Sequence, residues 1–201
     1  PVAGIDLELV EVSSDGDNTN VTKFNEDLVT ITTYIEKGLT GVKVYYNGAV
    51  CDDNPTYTPE DGKLVFKTKH FSEFYAVSDS VAVVSDQNET TKKGYARLVD
   101  AFDNSVDGCS IKLLKNIEMS SMVRITRSIS VDLNGFAITT SSDFPAGAGI
   151  FTVREGGFLT IYDSSAGKTG LIENSKKAGD ANSVERYGIV VFPYKSSHSQ
   201  A

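Results

Sequence analysis

Apolar and polar residues alternate along the first part of the chain, which is the period of half-buried β-strands. Asn47-Gly48 directly follows one of these runs and is a strong signal for a tight hairpin. Turn residues recur about every 10 residues, a spacing typical of a β-sandwich. Residues 1–85 are therefore predicted to form an antiparallel, sandwich-like β-domain. Its apolar runs lie at residues 5–12, 28–35, 42–46, 64–66 and 74–77.

The pattern changes after residue 85. Residues 86–93 contain no apolar side chain and are predicted to be an interdomain linker. Residues 94–106 have apolar side chains at helical spacing, and Gly108 favours an end to the helix just beyond them. The predicted apolar face of this helix consists of Tyr95, Leu98, Val99, Phe102 and Val106.

Strand-like apolar runs resume after Gly108. The main runs start at Ile111, Ile129, Phe158 and Gly188, about 20–30 residues apart, which is the length of a solenoid coil. The first coil of a solenoid needs a cap, and the amphipathic helix stands directly before it. Residues 94–201 are therefore predicted to be a capping helix followed by the first coils of a short parallel β-helix. The apolar face of the last coil is predicted to promote self-association.

Two sequence phrases in this half carry a resemblance to a known architecture. They are Asp132-Leu133-Asn134-Gly135 and Leu159-Thr160-Ile161-Tyr162-Asp163-Ser164. With the helix before them, they make residues 94–175 resemble the N-terminal coils of pectate-lyase-like, right-handed β-helix proteins. Many such proteins are surface proteins of gut Firmicutes, so the resemblance implies an extracellular location on a bacterial cell.

A second resemblance covers residues 69–77, which look like the last strands of a small β-domain common in bacterial surface and S-layer proteins. Within it, His70-Phe71-Ser72 resembles the self-cleavage site of β-sandwich domains in death-domain adaptors and a nuclear-pore protein. This resemblance implies that the Ser72 hydroxyl attacks the Phe71 carbonyl with His70 as base. In the alternative interpretation, His70 and Ser72 share one face of an edge strand and Phe71 fills the core.

The predicted coil region also contains three carboxylates that could be catalytic. Glycoside hydrolysis requires two carboxylates flanking one bond, about 5–10 Å apart, and Asp132, Asp163 and Glu173 are the candidates. The alternative is structural, because Asp132 and Asp163 stand where side chains commonly bond the backbone N–H groups of a turn.

The first domain offers two further candidate sites. Oxygen-bearing side chains cluster in one loop and could contribute to a weak Ca²⁺ site, although the loop lacks the EF-hand pattern and an ordinary acidic turn is the alternative. Its tyrosines could stack on sugars, or pack in the core and across strands. The loop residues are Asp15, Asp17, Asn18 and Asn20, and the tyrosines are Tyr34, Tyr45, Tyr46, Tyr57 and Tyr75.

Composition narrows the range of partners. The net charge is −8 and basic residues form no stripe, which argues against nucleic acid. No apolar run approaches the roughly 20 residues of a membrane-spanning helix. Cys51 and Cys109 fall in different predicted domains and lack the clustered spacing of a zinc site. No cofactor is predicted.

These observations favour a structural or adhesive module of a bacterial cell-surface protein, with host or dietary glycans as candidate ligands. One alternative is the non-catalytic N-terminal part of a β-helix polysaccharide lyase or glycoside hydrolase. A third hypothesis is a self-cleaving domain at His70-Phe71-Ser72. Apart from this autoproteolysis, the chain is not expected to be an enzyme.

Overall fold

The chain is mainly β and divides into two compact units, Pro1–Ser80 and Val81–Ala201. Within the described residues of a computed structural model there are twenty strands and one short helix. Those residues are 3–6, 10–12, 18–20, 29–47, 49–51, 55–69, 73–174 and 187–191.

All strand pairs of the first unit are antiparallel. The strands are β1 (Ala3–Asp6), β2 (Val10–Val12), β3 (Asn18–Asn20), β4 (Val29–Tyr34), β5 (Lys43–Tyr46), β6 (Ala49–Val50), β7 (Thr56–Thr58), β8 (Lys63–Thr68) and β9 (Glu73–Val77). The sheets have the orders β1-β9-β5-β6 and β4-β8-β7, and β2 pairs with β3.

The larger sheets of this unit share one core. The Phe66 ring on β8 lies 5.2 Å from the Phe74 ring on β9, measured between centroids. Val44, Leu64 and Ala76 complete the cluster of buried side chains. Alternation along each strand turns these residues to one face, which is the pattern that predicted the strands.

The second unit begins with an antiparallel hairpin and the helix, and continues as short strands. They are β10 (Ala82–Ser85), β11 (Lys92–Tyr95), α1 (Leu98–Asp103), β12 (Cys109–Leu113), β13 (Ile117–Met119), β14 (Val123–Ile125), β15 (Ser128–Asp132), β16 (Ala137–Thr140), β17 (Gly149–Val153), β18 (Phe158–Tyr162), β19 (Leu171–Ile172) and β20 (Tyr187–Val191).

From β12 onward, each strand pairs in parallel with the strand three places later. The three resulting ladders are β12-β15-β18, β13-β16-β19 and β14-β17-β20. Apolar residues align across them; Ile111, for example, lies opposite Val131, which lies opposite Ile161. The parallel pairing predicted for this half of the chain is therefore confirmed. Among the described residues, strands β12 to β20 thus form three successive sets of three, and each set is here called a round.

Helix α1 packs into the core of the second unit. Leu98 and Phe102 are buried, as predicted, and the Phe102 ring centroid lies 5.5 Å from that of Phe151 on β17. The predicted helix over 94–106 was too long at both ends. Residues Lys92–Tyr95 form β11 because their backbone groups pair with β10, and Val106 is 63% exposed instead of facing the core.

The boundary between the units also differs from the predicted one at residue 85. Strand β10, assigned by pattern to the first domain, pairs with β11 and β12 and places Ala82 and Val84 in the core of the second unit. Residues 86–91 form the turn between β10 and β11 rather than a linker. A polar hairpin turn and a polar linker have the same composition, so only strand pairing separates them.

Candidate functional site

Asp132 is a buried carboxylate at the end of β15. Its Oδ1 accepts hydrogen bonds from the backbone N–H of Asn134 (2.9 Å) and of Ser164 (2.9 Å). The Ser164 hydroxyl donates to its Oδ2 at 2.6 Å. Only 4% of the residue is exposed. Asp132 thus joins its own turn to the turn that follows β18, one round later.

Asp163 repeats this arrangement just after β18. Its Oδ1 accepts hydrogen bonds from the backbone N–H of Gly135 and of Ser165, both at 2.9 Å. Its Oδ2 accepts one from the Gly170 N–H at 2.6 Å. Three donors on different parts of the chain therefore converge on one carboxylate.

These neighbours also change the acidity of Asp163. The nearby Ser165 hydroxyl, and then the N–H groups of Gly170, Ser165 and Gly135, lower the pKa of the carboxyl to about 2. The Ser165 hydroxyl makes no hydrogen bond to any described residue. We therefore attribute the lowered pKa mainly to the three N–H donors, which stabilise the charged form.

Asparagine side chains connect the same turns to the preceding round. Asn134 donates from Nδ2 to the Leu113 carbonyl (3.0 Å), and Asn116 accepts from the Ala137 N–H (2.9 Å). Asn134 and Gly135 both adopt left-handed backbone, with φ of 47° and 81°, which Asn and Gly tolerate best. The sequence analysis did not predict this role for Asn116. The available signal was that an Asn follows the apolar run in each of two successive rounds, at Asn116 and Asn134.

The third carboxylate candidate, Glu173, follows β19, and its side chain is exposed. Its backbone N–H bonds to the Ile138 carbonyl at 2.9 Å. Asp132 and Asp163, in contrast, are engaged by backbone donors, which suits fixing a turn better than protonating a glycosidic oxygen or attacking a sugar. The turn interpretation of Asp132 and Asp163 is confirmed by these hydrogen bonds.

The tyrosines of the first unit separate into inward and outward groups. Tyr46 packs against the core, and the Tyr57 hydroxyl donates to the Glu36 carbonyl at 2.6 Å. Burial raises the pKa of Tyr57. Tyr45 and Tyr75 lie opposite each other on the outer face, with ring centroids 5.4 Å apart and planes inclined by 4°. Only one of the adjacent Tyr45 and Tyr46 joins this surface, because successive side chains of a strand point to opposite faces.

A cavity of about 230 Å³ lies beside the start of α1, between this helix and β13. Its polar lining includes Arg97, Asn116 and Glu118. The Arg97 guanidinium stands 3.8 Å from the Asp100 carboxylate on the same helix. An exposed pair of this kind is weak.

Several predicted site residues fall outside the described residues: His70, Phe71, Ser72, Asp15 and Asp17. Asn18 and Asn20, predicted as part of a loop, instead form the two ends of β3, where they pair with Val12 and Val10. Within the described ranges, no three His, Cys, Asp or Glu side chains are grouped to hold a metal ion. Cys51 and Cys109 are not joined in a disulfide.

One polar cluster was not anticipated. Asp86 closes the turn between β10 and β11 by accepting hydrogen bonds from the backbone N–H and hydroxyl groups of both Thr90 and Thr91. These bonds, with the side-chain bond from Thr90 the strongest, lower the pKa of Asp86. The available signal was an Asp four residues before a Thr-Thr pair within a polar turn.

Comparison with known proteins returned no matching family model, curated protein or solved structure. Among the residues that the structure describes, no helix has the length and apolar character needed to cross a membrane.

Proposed function

We propose that this chain is a structural module of an extracellular bacterial surface protein. In this proposal, a small antiparallel sandwich-like domain precedes the helix-capped first coils of a right-handed parallel β-helix. The module's task is to hold an extended scaffold in place outside the cell. The surface location rests on the sequence resemblance described above.

The repeated strand pairing supports the β-helix part of the proposal. Three consecutive strands pair in parallel with the next three, and those pair with the next, as successive coils of a solenoid would. The antiparallel strand β10 covers the edge of β12, and α1 contributes Leu98 and Phe102 to the core. A first coil needs such a cover on its outer side.

One observation carries the structural, non-catalytic role: the two best-placed carboxylates are occupied by backbone N–H donors. Asp132 and Asp163 each accept three hydrogen bonds, and those from Ser164 and Gly135 link turns of successive rounds. A general acid needs a raised pKa near the working pH, whereas the pKa of Asp163 is held at about 2. The same carboxylates serve well as fixed turn anchors.

A polysaccharide panel tests this role. The chain is incubated with neutral and uronate-containing polysaccharides, and new reducing ends and unsaturated uronate products are measured. We expect neither product. Cleavage that disappears in Asp163→Asn would overturn the structural role and favour the alternative of a β-helix carbohydrate enzyme.

A second candidate function is glycan binding by the first unit, favoured by the outward-facing Tyr45–Tyr75 pair. Aromatic faces bind the apolar faces of sugars, and these two rings are stacked on an outer sheet surface. Affinity electrophoresis in gels containing each polysaccharide tests it. Tyr75→Ala should abolish any retardation, whereas Tyr34→Ala, which removes a 67% exposed tyrosine from another sheet, should not. Retardation unchanged by Tyr75→Ala would exclude the pair as the binding surface.

A further inference from the structure

Strand β18 forms one border of a five-stranded sheet whose order is β11-β10-β12-β15-β18. Among the described residues, β15 is its one strand partner. Its side chains alternate between exposed and half-buried. Phe158 is 64% and Tyr162 45% exposed. Within the described part of the chain, no strand pairs with the outer side of β18, and an edge strand with large apolar side chains is a template for pairing with another chain.

The backbone groups of successive β18 residues point alternately toward β15 and toward the outer edge. The Phe158 N–H donates to the Arg127 carbonyl at 3.1 Å, and the Tyr162 carbonyl accepts from the Leu133 N–H at 2.8 Å. Phe158, Thr160 and Tyr162 therefore direct their backbone groups toward β15. In a strand, the residues between them direct theirs the other way, so the N–H and C=O groups of Leu159 and Ile161 face the outer edge.

The sequence of β18 is chemically symmetric about its centre. It runs aromatic, aliphatic, threonine, aliphatic, aromatic: Phe158-Leu159-Thr160-Ile161-Tyr162. When such a strand meets its own copy in antiparallel orientation centred on Thr160, every residue meets one of its own kind. Phe158 then opposes Tyr162, Leu159 opposes Ile161, and Thr160 opposes Thr160 of the second copy.

The backbone directions agree with this register. Leu159 and Ile161 have their N–H and C=O groups at the open edge, so they form the two hydrogen-bonded pairs. Thr160 then lies at a non-hydrogen-bonded position, where opposed Cα atoms approach to about 4.5 Å. Cross-strand aromatic and Thr–Thr pairs each add stability.

We propose that the open edge of β18 is a homodimer surface, on which a second copy of this chain adds its own β18 in antiparallel orientation across a two-fold axis at Thr160. The sheet would continue from one copy to the other through an isologous contact. The half-buried side chains of Leu159 and Ile161 also lie on this strand, at the end of the stack formed by β12, β15 and β18. Leu159 and Ile161 continue columns that are buried in the two earlier rounds. The proposal rests on the strand pairing of the second unit and does not depend on a surface location or on glycan binding.

Introducing a charged side chain at position 160, on the proposed two-fold axis, tests the proposal. Light scattering coupled to size exclusion should give twice the 21.7 kDa of one chain. Thr160→Lys and Thr160→Glu should each be monomeric, because each places like charges directly opposite each other. A mixture of the two variants should restore the dimer mass. Ser130→Lys, which changes the facing residue on β15, is the matched control and should remain dimeric.

A cross-link provides an independent measurement. Thr160→Cys in a Cys51→Ser background should form an intermolecular disulfide on oxidation, because the expected Cα separation lies within disulfide range. Ser130→Cys in the same background should not. A wild-type chain that is monomeric at all concentrations overturns the proposal; so does a dimer that Thr160→Lys leaves intact. If residues 192–201 of the same chain covered this edge instead, light scattering would give the mass of a monomer, which would also overturn the proposal.

Discussion

The Asp163 carboxylate accepts a hydrogen bond from the Gly135 N–H at 2.9 Å, across 28 residues of chain. Gly135 lies in the turn after β15, and Asp163 lies one round later, after β18. The bond therefore fixes the spacing of two successive turns. Asp132 makes the corresponding connection through Ser164. A repeated bond of this type keeps successive rounds in register at a corner where the strands have ended.

Asp163→Asn should lower the Tm at neutral pH, because a carboxamide can replace only one of the two accepting oxygens and brings its NH₂ group toward an N–H donor. The folded pKa is about 2 against an ordinary value of 3.8. A lowered pKa contributes stability that is complete above about pH 5 and is lost as the pH falls toward 2. The difference in Tm between wild type and variant should therefore shrink over that interval.

Asp143→Asn is the control for this measurement, since Asp143 is exposed in a neighbouring loop. Its Tm should match that of the wild type at both ends of the pH range. A difference for Asp163→Asn that stays constant from pH 7 to pH 2 would show that the charge of this carboxylate contributes no stability.

Phe102→Ala should destabilise the second unit by about 3–5 kcal/mol, the range for removing a buried phenyl ring. Phe102 is 2% exposed and packs on Phe151. Val106→Ala, which truncates a 63% exposed side chain, should change stability by less than about 0.5 kcal/mol. Urea unfolding monitored by circular dichroism gives both values. Equal effects would mean that α1 does not cover the core as described.

Gly170→Ala should destabilise the fold by about 1–3 kcal/mol, because the added methyl overpacks a filled site. Its Cβ would stand 2.6 Å from the Leu133 Cβ and 2.7 Å from Asp163 Oδ2. The matched variant is Gly188→Ala, whose Cβ would meet its nearest atom, Ile172 Cγ2, at 3.7 Å. Thermal unfolding should separate the two variants; a neutral Gly170→Ala would contradict the close packing of this turn.

The self-cleavage hypothesis for His70-Phe71-Ser72 has a direct measurement in denaturing mass spectrometry. If the Ser72 hydroxyl attacks the Phe71 carbonyl carbon, the Phe71–Ser72 amide becomes an ester that water then hydrolyses. Fragments ending at Phe71 and beginning at Ser72 should accumulate during incubation. They should vanish in Ser72→Ala, and His70→Ala should slow their formation because the base is lost. A single intact mass after long incubation would favour the edge-strand interpretation.

The sequence alone predicted the features that depend on local periodicity. Alternation in β4, β5 and β8 identified strands of the first unit, and apolar runs about 20–30 residues apart identified the parallel rounds. Turn chemistry could also be predicted, because an Asp two residues before Asn-Gly, or directly before Ser-Ser, favours side-chain bonds to nearby N–H groups. The buried face of α1 at Leu98 and Phe102 followed from helical spacing.

Only the tertiary structure determined the conformation of segments whose local pattern favours one structure while pairing with a distant strand favours another. Residues 92–93 were predicted to be linker and residues 94–95 to be helix, but all four form a strand, because pairing with β10 gives part of their backbone hydrogen-bond partners. Because of the same pairing, β10 belongs to the second unit, and residues 86–91, predicted to be part of a linker, form a hairpin turn. The donors that Asp163 receives from Gly135 and Gly170 come from separate segments. A local pattern carries no information about which distant N–H group will be within 3 Å, because that distance is set only when the rounds stack.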